Sequence, residues 1–433
     1  MSLDTICTEE LGDSMYKLIQ KLYPICRSIT GDGVRDTLNI IQEYVGGLQI
    51  HEVPSGTKVF DWTIPKEWNI KDAYVKDSKG ERVIDFKRSN LHIMGYSIPV
   101  KERMNLEELK KHLYTIPERK DWIPYITSYY NENWGFCLSQ NNYDNLEEDI
   151  YEVVIDSKLE DGSLTYGEYY IKGEIEEEVL ITSYICHPSM CNDNLSGPSV
   201  IAHIANLLKS KELKYSYRFL FIPETIGSIT WLSLNQHKVS NIKYGLVATC
   251  CGDNGISTYK KSRMGNSEID IIAEKVLKDS NSEYKILDFF PTGSDERQFC
   301  SPGFNLPVGS LMRTVYGFNE YHTSADNLDF VNPKSLEDTL NKYMDIIFII
   351  ENNEIYINQN PKCEPQLGKR NLYRKLVCKS SSNLQRAMMW VLNFSDGKNS
   401  LLDIAIKAKY NFKEIRTAAD LLLDVKLLKK RIK

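Results

Sequence analysis

No stretch of this 433-residue chain strings together the roughly 18 apolar residues that a membrane-spanning helix needs. The strongest runs, MDIIFII near position 345 and VLITSYIC ending at Cys186, are short and read as core strands or helix faces. The opening MSLDTICTEELGDSMYK lacks the basic start and apolar centre of an export signal. CxxC is absent, which excludes a zinc ribbon, and the ten cysteines are scattered through a large chain, which argues for reduced thiols. Internal repeats and low-complexity tracts are missing too. These absences predict a cytoplasmic protein that makes no use of a membrane.

What is present is a folded, aromatic-rich composition, 42% hydrophobic with 26 tyrosines, long enough for two or three structural units. A net charge of −6 conceals an asymmetry. Residues 367–433 hold 16 Lys and Arg against 5 Asp and Glu, a local +11 that leaves the first 366 residues at −17.

Helical spacing from about Glu9 to Val45, broken by the turn signal in RSITGDG, predicts two N-terminal helices over 1–48. Short strand-like pieces separated by Pro, Gly, Asn and Asp predict an inserted β-rich domain over 49–135. After about Glu148, within a domain drawn at 136–355, strands alternate with helices, beginning with YEVVIDS. That alternation predicts an α/β fold with a mainly parallel twisted sheet and flanking helices, closed by a long helix from about Pro333 to Asn352. The polar ENNEIYINQNPKCEPQLG reads as a linker. Three helical patterns over 362–433 predict a small helical, winged-helix-like domain.

Ligands gather at the carboxyl ends of strands in such sheets. VLITSYIC ends in His187 and runs on to Asp193, YRFLFIP ends in Glu224, YGLVATC ends at Cys250, and a later loop carries His322. Imidazole with carboxylate is the donor set of catalytic zinc. Each residue also has a plain structural use: Asp193 is placed to cap the next helix, Glu224 to favour a helix N-terminus, and the histidines to hydrogen-bond locally. Of the neighbours Cys250 and Cys251, at most one faces a given site if they lie in a strand.

Order and context decide between these readings. His187 followed by DNLSG (193–197), a strand ending in Glu224, GSDERQF with Asp295 and Phe299, and YHTSADNLDFV (321–331) together resemble the zinc aminopeptidases of the bacterial leucyl aminopeptidase type. The texture of LYPICRSITGDGVR, FDWTIPKEWNI, IPYITSYY and WGFCLS is similar to a group of such proteins with an inserted β-rich domain and a C-terminal winged-helix-like domain. The resemblance implies a pair of zinc ions bridged by Asp193, with His187 on one and His322 on the other; the departures below leave a single zinc as the alternative. It also implies a glutamate that takes a proton from metal-activated water as an amide carbonyl is attacked.

Three departures stand out. The family has two consecutive glutamates where this chain has Pro223-Glu224-Thr225, so Glu224 is either the base or a ligand. A metal-binding Asp is expected where Cys250 stands; its thiolate is a possible zinc ligand, and Asp253 a weaker substitute. The acid that orients the first histidine is Ser189 here. Asp295, Arg313 and Tyr321 are candidates for holding substrate.

Three functions are in play. The first is a hydrolase of a peptide or small amide next to a free amine. The second keeps the metal site but acts on an amino-sugar derivative or performs a cyclotransferase-like step. The third is a zinc-binding regulator whose basic tail contacts nucleic acid, or docks on the acidic remainder of the chain or of a homo-oligomer mate. Trp62, Trp68, Tyr129, Tyr130 and Trp134 either narrow a substrate pocket or form the insert's own core.

Overall fold

The computed structural model describes residues 9–372 and 381–431. Helices α1 (Glu9–Leu22) and α2 (Asp32–Val45) form around Gly31, whose φ of +100° and close approach to the Trp68 carbonyl leave no room for a side chain. Strand β1 (Gln49–Pro54) follows. The chain then makes the hairpin β2 (Lys58–Val59) and β3 (Trp62–Thr63), and strands β4 (Glu67–Lys76), β5 (Arg82–Asp85) and β6 (Val100–Asn105). A short helix α3 (Leu106–Lys110), strands β7 (Leu113–Tyr114) and β8 (Phe136–Cys137), and helix α4 (Gln140–Asp144) lead to β9 (Ile150–Glu160).

The α/β part continues with β10 (Ser163–Ile171), β11 (Glu178–Tyr184), α5 (Ser196–Leu208), β12 (Ser216–Ile222), α6 (Ile226–Leu234), β13 (Ile242–Ala248) and β14 (Ser257–Lys260). After α7 (Glu268–Asp279), β15 (Tyr284–Leu287), α8 (Glu296–Phe299) and β16 (Val308–Met312), it closes with α9 (Pro333–Asn352). The eight-stranded sheet has the order β1-β10-β12-β11-β13-β16-β14-β15. The neighbours β12, β11, β13 and β16 are mutually parallel, and β11 and β12 are buried at every position, as strands covered by helices on both faces must be. The expected mainly parallel α/β sheet is thus present.

The inserted unit is shifted from the expected 49–135. β1 pairs with β10 in the large sheet, whereas β9, which carries YEVVIDS, lies in a separate four-stranded sheet of order β5-β4-β9-β6. An alternating strand reads the same in either sheet, because its partner is set by tertiary packing. Arg35 of α2 ties the two sheets: it pairs with Glu52 of β1 at 2.7 Å and in a two-pronged contact with Glu67 of β4 at 2.7 and 2.6 Å.

A second compact unit gathers residues 271–282 and 342–431. In it β17 (Ile355–Asn358) is the middle strand of a three-stranded sheet, between β18 (Asp396–Ser400) and β19 (Leu428–Lys430), beside α10 (Ser381–Phe394), α11 (Leu401–Ala408) and α12 (Phe412–Asp424). The expected linker therefore contains a central strand; Tyr356 is buried, and flanking Asn and Glu mask a run of only four residues. Reciprocal capping boxes at Ser400/Asp403 and Asn411/Glu414 start α11 and α12. Among the described residues no helix is long and apolar enough to cross a membrane.

Candidate metal centre

The ladder of β11 is prolonged by an Ile185 N–H bond to the Ile222 carbonyl, which delivers His187 just past the strand end. The Arg27 guanidinium donates to the His187 carbonyl at 3.0 Å and fixes that turn. The DNLSG segment then has a physical explanation. The Asn194 amide donates to Ser183 Oγ at 2.9 Å and its carbonyl accepts from the Gly197 N–H at 3.1 Å. Ser196 Oγ accepts from the Cys251 N–H, and a Cβ on Gly197 would meet the Ala248 carbonyl at 2.3 Å. Because Asn194 takes the local hydrogen bonds, Asp193 is free for other work; the peptide between the two is cis.

His187, Asp193 and His322 each offer one donor atom, and the three atoms lie within 4.8 Å of one another. His322 Nε2 stands 3.0 Å from Asp193 Oδ2. Neither atom, nor His187 Nδ1, has a partner in hydrogen-bond geometry, although all three are buried. Buried polar atoms are rarely left so. Burial lowers the His187 pKa to about 4, which leaves the neutral imidazole a metal requires. These donors fit zinc, which takes two imidazoles and a carboxylate with a fourth position open. Asp193 Oδ1 accepts from the Tyr184 hydroxyl, itself 2.7 Å from Thr249 Oγ1, a relay that orients the carboxylate.

Two other segments complete the surroundings. Asp326, buried, accepts from the backbone N–H groups of Cys191, Asn192 and Asp193 at 3.1, 2.6 and 2.8 Å. It holds the Asp193 loop and was not singled out from sequence, although it sits inside YHTSADNLDFV. From the insert, the Tyr125 N–H donates to the His322 carbonyl at 2.8 Å, Pro124 bridges to Thr323, and the Tyr125 ring meets both histidines edge-on at 5.3 Å.

Glu224 stands outside the three-donor group, its Oε2 3.6 Å from His187 Nε2 and a quarter of its side chain (24%) open. Burial, then the neighbouring Asp295 and Asp193, raise its pKa well above the carboxylate range. Thr225, at φ +64°, accepts from Arg297 through its hydroxyl and donates its N–H to Asp295 Oδ1 at 2.7 Å, so the family's second glutamate position serves the turn here. Asp295 also accepts from Ser228 at 2.8 Å, while its buried Oδ2 is unpartnered. Cys250 is buried outside the three-donor group and accepts a weak hydrogen bond from Thr249. Asp253 is held by Asn192 and Thr314. Ser189 donates to the Tyr23 carbonyl and leaves His187 alone. Tyr321 stacks on His322 at 3.9 Å, and Arg313 pairs with Asp338 at 2.6 Å.

Residues 16–353 match a family model described as "Domain of unknown function (DUF4910)". The chain belongs to that family. Residues 354–430 match a winged helix-turn-helix model, and β17 is the first element of that domain. A relative from Clostridium acetobutylicum, named for polysaccharide biosynthesis and for an aminopeptidase-like domain, is 64% identical over 98% of this chain and 97% of its own. A solved structure from the same organism, named as a peptidase, is 63% identical with a TM-score of 0.94, covering 98% of this chain and 97% of its own. More distant structures share the fold of the α/β part. A peptidase M28 precursor from Shewanella amazonensis has a TM-score of 0.57 at 12% identity over 79% of this chain and 96% of its own. A zinc aminopeptidase from Bacillus subtilis has 0.56 at 12% over 78% and 94%.

Proposed function

We propose that this chain is a zinc-dependent hydrolase, related in mechanism to the bacterial leucyl aminopeptidases, that cleaves an amide bond next to a free amine and works in the cytoplasm. The observation that carries this reading is the convergence of His187, Asp193 and His322, each with one ligand atom within 4.8 Å of the others. These residues would hold zinc, which when bound would supply a Lewis acid that acidifies water and polarises a carbonyl. Glu224, beside the group yet outside it, would serve as general base, its carboxylate form favoured once a cation sits beside it: it would take the proton of the attacking water and return it to the leaving amine. The unshared oxygen of Asp295 and the ring of Tyr321 line the substrate side. Arg313, engaged by Asp338, is the weaker candidate, and Cys250 is not required as a ligand.

A second reading keeps this site and makes the amide part of an amino-sugar derivative; it is favoured by the relative named for polysaccharide biosynthesis. A nucleic-acid role is less supported, because Lys413 and Arg416 of α12 pair with Asp345 and Asp420 at 2.6 and 2.5 Å. The test is zinc content by mass spectrometry of protein prepared without chelators, together with turnover on aminoacyl amides. About one zinc per chain is expected, and Glu224→Ala should keep the metal while losing on the order of 10²–10⁴-fold in rate. Metal-free protein, or full turnover by Glu224→Ala, would falsify the assignment.

A further inference from the structure

Phe60, Trp62 and Tyr130 are 50%, 41% and 48% exposed, unusual for rings this large. They are not scattered. Trp62 meets Tyr130 edge to face at 5.8 Å, and Phe60 meets Phe304 in the same way at 5.8 Å. The hairpin that carries Phe60 and Trp62 packs through β2 on α6, the helix that begins just after Glu224. Tyr130 follows Tyr129, whose hydroxyl lies 3.0 Å from that of Tyr125, and Tyr125 touches both metal-type histidines. Trp62 and Tyr130 thus form an open ledge, with Phe60 on the same hairpin as Trp62; Tyr129 and Tyr125 link Tyr130 to the candidate centre, and exposed Asp61, Asn131, Glu132 and Asn133 adjoin the ledge in sequence.

We infer that this ledge is a glycosyl subsite that holds a sugar ring of the substrate. The inference rests on the amide-hydrolase reading for the position of the sugar relative to the bond cleaved. Three chemical arguments select a sugar. A pyranose presents an apolar C–H face that stacks on aromatic rings, while its hydroxyl rim stays wet and hydrogen-bonded, which suits rings that remain half exposed. An apolar peptide side chain gains most in a pocket that encloses it on nearly all sides, and the ledge encloses nothing. A protein partner needs about 800 Å² on each side, whereas three half-exposed rings offer on the order of 300 Å². The ledge is therefore built for a small amphiphilic ring, and it gives the insert a role in substrate choice.

The experiment is binding and saturation-transfer NMR on the full chain with chitobiose, N,N′-diacetylchitobiose and cellobiose, each against wild type, Trp62→Ala, Tyr130→Ala and Glu224→Ala. Saturation is expected at the ring C–H protons of at least one disaccharide. Its affinity should fall about tenfold in Trp62→Ala and in Tyr130→Ala, and should hold in Glu224→Ala. Unchanged circular dichroism and zinc content in the two ledge variants keep the loss attributable to the rings. Binding of none of the three sugars, or binding indifferent to both ledge variants, overturns the subsite. Aminoacyl-amide turnover without sugar binding sinks this inference alone, and sugar binding without any amide turnover sinks only the hydrolase reading.

Discussion

Asp326 shows how a residue shapes the site without offering it a donor atom. Its two oxygens accept three consecutive backbone N–H groups from 191–193, so the loop that presents Asp193 has its amides satisfied by a side chain from 130 residues later. In Asp326→Ala the buried Asn192 and Asp193 N–H groups lose their partner, at about 1–3 kcal/mol for each that water does not reach, while the Cys191 N–H keeps the backbone carbonyl of residue 326 at 3.0 Å. The variant is expected to melt well below wild type and to hold zinc poorly, both measurable on one preparation. Retention of full zinc with an unchanged melting temperature would show that the loop keeps its shape unaided. His187, Asp193 and His322 became candidates through their order and context, since each alone has a plain structural use, and the fold brings the three together. Asp326 was not legible, since a carboxylate whose task is to receive backbone amides has no signature apart from the fold that brings those amides to it.

At the scale of elements, the insert communicates with the α/β part through charge as well as through the arm that carries Tyr125. Glu67, at the start of β4, is held near a pKa of about 2 by its hydrogen bonds to Arg35, against burial, with help from the Ser163 N–H and Asn69. Its ordinary value is 4.5, so the folded state prefers the carboxylate. The stabilisation is whole above pH 4.5 and fades as pH falls toward 2. Melting curves of wild type and Glu67→Gln should therefore differ most near neutral pH and draw together between 4.5 and 2. A constant gap across that range would mean that Arg35 stabilises β4 through packing alone. The elements themselves were largely readable: the apolar-rich β11 and β12, the Gly31 turn and α9 all follow from pattern. Their partners were not, because β1 and β9 are ordinary strands whose sheet membership depends on packing far away in sequence.

For the whole molecule, the question is where the basic tail begins as a folded unit. Composition changes near residue 367, but β17, the middle strand of the second unit's sheet, lies at 355–358, inside a stretch that reads as linker because Asn, Glu and Pro surround it. The compositional boundary thus falls inside the second unit, about one strand and its loop after the winged helix-turn-helix match begins at 354. A chain cut at 366 keeps β17 while losing β18 and β19, which leaves both edges of an Ile-Tyr-Ile strand unpaired and Tyr356 uncovered, a template for association with other chains. A chain cut after Asn353 carries no such strand. Light scattering at equal concentration should find the 366 product more aggregated than the 353 product. The opposite order would mean that β17 belongs with the α/β unit rather than with the helices that follow it.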